Sequence, residues 1–161
     1  MDIIVDTREQ KPLWTKGCIR YKLTVGDYST LKLRESFCIE RKSLPDLYST
    51  ITKGHVRFRH ELIRAEVYNI SLVLVVEGAR KNFISKKFPG GSMRKISGET
   101  LNKIVTTVEE RYGLTIHWCA TRAQARNKII HLLREAESLL PKHQDKRTNC
   151  AKSKTGKPCR N

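Results

Sequence analysis

Five side chains near the start of the chain have the types and spacing to hold a divalent cation beside an amine: Asp6, Glu9, Asp27, Glu40 and Lys42. The sequence carries 32 Lys and Arg against 16 Asp and Glu, so carboxylates clustered around the first short strands stand out. Glu40 and Lys42 lie two apart in Phe37-Cys38-Ile39-Glu40-Arg41-Lys42. On a strand such residues share a face, with Arg41 on the other. Hard carboxylate oxygens suit Mg2+, with Mn2+ as substitute, and Mg2+ keeps several waters while taking a substrate phosphate oxygen. A cation so held lowers the pKa of bound water and offsets charge in the transition state of phosphodiester hydrolysis. An adjacent ammonium orients the attacking water or stabilises the developing negative charge. E-x-K alone is common on exposed strands, and Asp6 and Asp27 also suit turns. The combination is what points to a site, because four neighbouring carboxylates repel one another unless a cation lies between them.

The elements that must position these groups are short. Ile3-Ile4-Val5, ending in Asp6, reads as a buried strand. Residues 10–19 carry Pro12 and Gly17 and read as a loop. The alternation over 20–25 predicts a half-buried second strand, broken by Gly26-Asp27. Residues 28–36 are expected to be a hairpin connection, and 37–42 a third strand. Ser43 caps a helix from Leu44, with Pro45 early, where its missing N–H does no harm. A second helix is expected over 56–68, then a central strand at Leu72-Val73-Leu74-Val75-Val76 with both faces covered. Residues 78–96 read as a long loop. A helix follows from Ser97 or Gly98, with Leu101, Ile104, Val105 and Val108 at helical spacing, ended by Gly113. Thr115 to Cys119 is the last strand, and a helix capped by Thr121 runs to Pro141. The sum is an α/β domain with a mixed central sheet.

The domain is expected over 1–140 and a basic tail over 141–161, since residues 142–161 hold seven Lys or Arg and no large apolar residue. The formal net charge of +16 calls for a polyanionic partner, and nucleic acid is the best match. No apolar run is long enough for a membrane span. The first residues also lack a secretion signal. Five scattered cysteines form no close pair, so they read as reduced thiols, Cys150 and Cys159 in the tail included. An intracellular protein is expected, nuclear in a eukaryote or nuclear virus and otherwise cytoplasmic.

Val5-Asp6-Thr7-Arg8-Glu9, then Gly26-Asp27, then Glu40-Arg41-Lys42 with Asp46 after a three-residue gap, resembles the XPF-type structure-specific endonucleases in their nuclease domain. That family's signature is G-D, a variable spacer, E-R-K, three residues and D, and the resemblance spans about residues 2–140. It implies a restriction-endonuclease-like fold, a mixed sheet flanked by helices. It implies cutting of branched, flapped or forked DNA, as in DNA repair or recombination. It implies that Asp27 and Glu40 bind the metal, that Asp6 and Glu9 support the same or a second ion, and that Lys42 is the catalytic lysine. Arg8 and Arg41 would steady carboxylates or a phosphate. Asp46 suits a helix N-terminus at least as well as direct chemistry. The helix-hairpin-helix domain that often follows this domain, and the helicase that sometimes precedes it, have no counterpart in the sequence given. That leaves open a nicking or restriction-type nuclease on simple DNA, and a catalytically silent DNA-binding scaffold subunit.

Two basic regions besides the tail are expected to hold DNA: Arg57 and Arg59 after the site, and Lys86, Lys87, Arg94 and Lys95 in the long loop. A solvated helix face, with Glu61 and Glu66 pairing the arginines, is the alternative for the first. The apolar stripe from Ile129 to Leu140 reads as core or as a homodimer or heterodimer face.

Overall fold

The computed structural model describes residues 1–141, so the expected basic tail, with Cys150 and Cys159, lies outside the described residues. One six-stranded mixed sheet organises the chain. Its strands are β1 (Ile3–Asp6), β2 (Ile19–Tyr21), β3 (Tyr28–Thr30), β4 (Phe37–Ser43), β5 (Ser71–Glu77) and β6 (Thr115–Cys119). Their spatial order is β2-β1-β3-β4-β5-β6. β1, β3 and β4 run antiparallel to their neighbours in that series, whereas β4, β5 and β6 are mutually parallel and β2 is parallel to β1. The helices are α1 (Leu44–Ile51), α2 (His55–Val67), α3 (Arg80–Ile84), α4 (Gly98–Tyr112) and α5 (Arg122–Ser138).

Two cores follow from the period-two alternation of the buried strands. On one face Cys38, Leu72, Leu74 and Val76 pack under α1 to α4 through Leu47, Phe58, Leu62, Phe83, Leu101 and Val105. On the other face Ile39 and Val75 meet α5 through Ala125, Ile129 and Leu133. The stripe of α5 is therefore core-facing, and Leu139, 80% exposed, is its apolar outlier. Ser43, Ser97 and Thr121 each accept a hydrogen bond from the backbone N–H three residues on, the N-cap role expected of them. Among the described residues no helix is long and apolar enough to cross a membrane.

Three expectations are corrected. The strand expected over 20–25 is only Ile19–Tyr21, at the sheet edge. Leu23 and Val25 are buried as the alternation requires. Leu23, however, gives its backbone N–H to Asp6 and its carbonyl to Arg8, so side chains take the place of a partner strand. The expected hairpin connection contains β3, wholly buried between β1 and β4. Its Ser29 hides its polarity by donating to the Phe37 carbonyl at 2.7 Å. The long loop contains α3, whose Phe83 is fully buried and stacks on Phe88.

The turn between β2 and β3 needs a glycine. Gly26 has φ of +74°, and a Cβ there would stand 3.1 Å from the Ile39 carbonyl oxygen and 3.2 Å from the Cys38 Cβ. Gly26→Ala is expected to lower stability by roughly 1–3 kcal/mol, the range for a strained left-handed residue. Urea unfolding measures this, and an unchanged midpoint would show that the turn relaxes freely.

Candidate active site

The mouth of the site lies where β1, β3 and β4 converge. Asp27 immediately precedes β3, and three hydrogen bonds fix it. Its carbonyl accepts from the Asp6 N–H at 2.8 Å and its N–H donates to the Ile39 carbonyl at 2.8 Å. Its carboxylate accepts from the Arg41 N–H at 2.9 Å. Glu40 and Lys42 project from β4 toward α1 and α2, as the strand alternation predicts. Lys42 Nζ donates to Glu40 Oε1 at 2.6 Å, and each side chain is 12% exposed. Phe58 of α2 offers its ring to the ammonium, 5.6 Å from the centroid.

Electrostatics at this point are frustrated. Burial, and then the nearby Glu40 charge, push the Asp27 carboxyl up to about 8. Burial also pushes the Glu40 carboxyl up, although Lys42 opposes the shift. Burial works against the Lys42 ammonium, but Glu40 outweighs it and holds the amine above its ordinary range. Lys42 is thus a fixed cation suited to stabilising negative charge, not a base.

The other expected residues divide. Glu9 faces the cleft, with Oε1 accepting from the Lys11 N–H at 2.6 Å and from Arg41 at 3.3 Å. Asp6 does not face it. Its carboxylate is 1% exposed and accepts from the Arg8 N–H and guanidinium and from the Leu23 N–H, at 2.7 to 3.0 Å. Burial alone would raise its pKa, but these donors together hold it below the ordinary value. Both oxygens of the Asp6 carboxylate are thus engaged by protein donors, and Asp6 does not line the cleft. Arg8 covers Asp6 and reaches the cleft wall. Arg41 lies on the opposite face of β4, where it joins Glu9 to Glu77 and the Lys11 carbonyl. Burial opposes its charge, yet Glu9 and Glu77 raise its pKa. Asp46, in the first turn of α1, exchanges hydrogen bonds with the N-cap Ser43 and also lines the cleft.

Sequence reasoning missed Glu61 and Glu77. Glu77 ends β5 and accepts from both Arg41 and Arg122, the latter also gripping the Lys11 and Pro12 carbonyls. Its position at the carboxyl end of the strand beside β4 was the available signal. Glu61 turns inward, where its carboxylate accepts from the Gly26 N–H at 3.2 Å, instead of pairing Arg57 or Arg59.

The basic residues also separate. Arg57 lines a groove with Asp46 and Lys53 that adjoins the cleft through Asp46. That groove continues through Lys53 to a second, lined by Arg94 and Lys95. Lys86 donates to the Arg94 carbonyl, and the Arg94 guanidinium lies over the Tyr48 ring at 4.7 Å, so both also anchor their loop. Lys87 is exposed near the loop's start. Arg59 faces a different, more apolar groove between α2 and α4.

The cleft bounded by Arg8, Glu9, Asp27, Glu40, Lys42 and Asp46 holds about 330 Å³. Among the described residues, no three His, Cys, Asp or Glu side chains converge closely enough to cage a metal ion by themselves. The donor set nevertheless fits Mg2+, which binds through one or two carboxylates and completes its shell with water and phosphate oxygens. Asp27 and Glu40, which line the same cleft, are the carboxylates that would hold it.

A family model described as the ERCC4 domain matches residues 5–132. Comparison with curated proteins finds no match. Among solved structures the fold is similar to XPF from Aeropyrum pernix, with TM-score 0.63 and 20% identity over 84% of this chain and 61% of that one. It is also similar to XPF from Aeropyrum pernix in complex with DNA, with TM-score 0.64 and 19% identity over 85% and 65% of the two chains. The chain therefore spans less than two thirds of either. The mixed sheet with flanking helices is the expected restriction-endonuclease-like fold.

Asp27 makes a pH prediction. An unfolded chain releases its proton near 3.8, whereas the folded chain keeps it up to about 8. Between those values the folded state binds more protons, so this group's contribution to stability falls as pH rises. Urea midpoints measured in chelator are expected to fall more steeply across that window in the wild type than in Asp27→Asn, which has no proton to exchange. Equal slopes would refute the buried, raised carboxyl.

Proposed function

Since the chain belongs to the ERCC4 domain family, we propose that it is a divalent-metal-dependent DNA endonuclease that hydrolyses phosphodiester bonds at the Asp27, Glu40 and Lys42 cleft. The observation that carries this reading is that the Asp27 and Glu40 carboxyls line one cleft with the Lys42 ammonium, which donates to Glu40 at 2.6 Å. Bound there, Mg2+ or Mn2+ would lower the pKa of a coordinated water and polarise the phosphate. Asp27 and Glu40 would hold it, with Glu9 at the margin. Lys42 would lie against the charge that builds on the phosphoryl oxygens, where a preorganised cation is worth far more than one in water. Arg8 and Arg41 keep the carboxylates in place through Asp6 and Glu9.

DNA as substrate is supported by the charge of +16 and by the likeness to a fold solved with DNA bound. A strand leaving the cleft would pass over Arg57 and Lys53 toward Arg94 and Lys95. Lys86 and Lys87 would add to the field. Branched, flapped or forked DNA is the proposed substrate class, and the scaffold reading gains nothing from a retained Asp27, Glu40 and Lys42.

With labelled flaps, forks, duplexes and single strands, cleavage is expected only with Mg2+ or Mn2+ and preferentially at junctions. Lys42→Ala is expected to reduce turnover by about 100-fold or more, and Asp27→Asn to abolish it, while both still bind DNA in gel shifts. Cutting in chelator, or full activity in both variants, would defeat the assignment. Arg57→Ala is expected to flatten the salt dependence of binding by about 0.9 of a log unit per log unit of salt, one phosphate contact. Arg59→Ala is expected to leave that slope unchanged. The reverse pattern would move the DNA path to the groove between α2 and α4.

A further inference from the structure

The inward turn of Glu61 has no place in the proposed chemistry. Its helix packs on the sheet through Phe58, Leu62 and Ala65, so Glu61 stands on the shoulder of the buried face. Phe58, one turn earlier on that side, supplies the ring beneath Lys42. The Glu61 carboxylate accepts the Gly26 N–H. That N–H belongs to a tightly packed turn, because Gly26 has a positive φ and a Cβ there would stand 3.1 to 3.2 Å from Ile39 and Cys38. The next residue is Asp27. The same carboxylate acts electrostatically on Arg8, Glu40 and Lys42. A solvated helix face would need none of these relations. The contact links α2 to the turn before β3 across a sequence separation of 35.

We infer that Glu61 is a positioning residue, whose hydrogen bond to Gly26 holds the turn that presents Asp27 toward Glu40 and Lys42. The inference rests on the proposed function only in taking Asp27 as a cation ligand. Groups that orient a ligand through a hydrogen bond behave as its outer shell, and their loss usually weakens metal affinity by about 10- to 100-fold. The bond requires an acceptor and not a charge, so glutamine should serve and alanine should not.

The test compares the wild type with Glu61→Gln and Glu61→Ala by amide hydrogen exchange at Gly26 and by calorimetric titration with Mn2+. Thermal unfolding is recorded for each protein. Glu61→Ala is expected to exchange the Gly26 amide about ten-fold faster or more and to bind Mn2+ about ten-fold more weakly or worse. Glu61→Gln is expected to stay within about three-fold of the wild type in both readouts, as an intact outer-shell contact predicts. Glu61→Asp, one methylene too short to reach Gly26, replaces the alanine variant if that protein is not fully folded. Unchanged exchange and Mn2+ affinity in the alanine or aspartate variant would overturn the inference. So would a glutamine variant as impaired as alanine, which would make the charge, not the hydrogen bond, the agent. A wild type that binds no Mn2+ would refute the metal site instead, and the Gly26 exchange would still decide the role of Glu61.

Discussion

The burial of two carboxyls, Asp27 and Glu40, in one cleft is the constraint around which the site is arranged. Burial pushes both above their ordinary range, and the Glu40 charge adds to the rise at Asp27. Their preference for the neutral form records energy that folding must supply from elsewhere. Lys42 neutralises part of it from the same strand. The remainder is opposed by backbone geometry. The Asp27 peptide bridges Asp6 and Ile39, and its carboxylate is caught by the next strand's Arg41 N–H. These contacts hold the polar groups of the cleft in fixed orientations before any substrate arrives.

Around that centre lie two ion-paired clamps, in which buried carboxylates are held by arginines, Arg41 buried and Arg8 and Arg122 more exposed. Asp6 and Arg8 close one side and tie the irregular stretch at Leu23 to the first strand. Glu77, Arg41 and Arg122 close the other, with Glu9 drawn in and the Lys11 and Pro12 carbonyls gripped by both arginines or by Arg122. Buried ion pairs contribute little net stability against apolar replacements, but removing one partner is strongly destabilising. Such pairs fix geometry more than they add energy. That explains how a loop as polar as residues 7–18 is held beside the cleft.

The two faces of β4 divide the work. Cys38, Glu40 and Lys42 face α1 and α2, whereas Ile39 and Arg41 face α5. The same strand thus carries the chemistry on one side and its buttress on the other. Because β4 pairs with β5 along its whole length, the most apolar strand of the chain stabilises the register of both.

The sequence by itself located most of the elements and singled out the acids and the lysine of the cleft. Alternation and caps located β1, β4, β5, β6 and the long helices, because those signals are local. The acid pair, the lysine and the glycine before Asp27 were legible because their spacing on strands is fixed by the backbone. The tertiary structure decided which carboxylate stays free. Asp6 and Asp27 look alike as strand-terminal acids, yet Asp6 is saturated by Arg8 and Leu23 and only Asp27 opens to the cleft. It also decided that polar, three-residue β3 is a central strand and that Glu61 and Glu77 turn to the site. Arg8 reaches Asp6 from two positions away, but the Leu23, Gly26 and Arg41 donors that complete these outcomes lie 17 to 36 positions from their acceptors, and no periodicity along the chain encodes which donor will arrive.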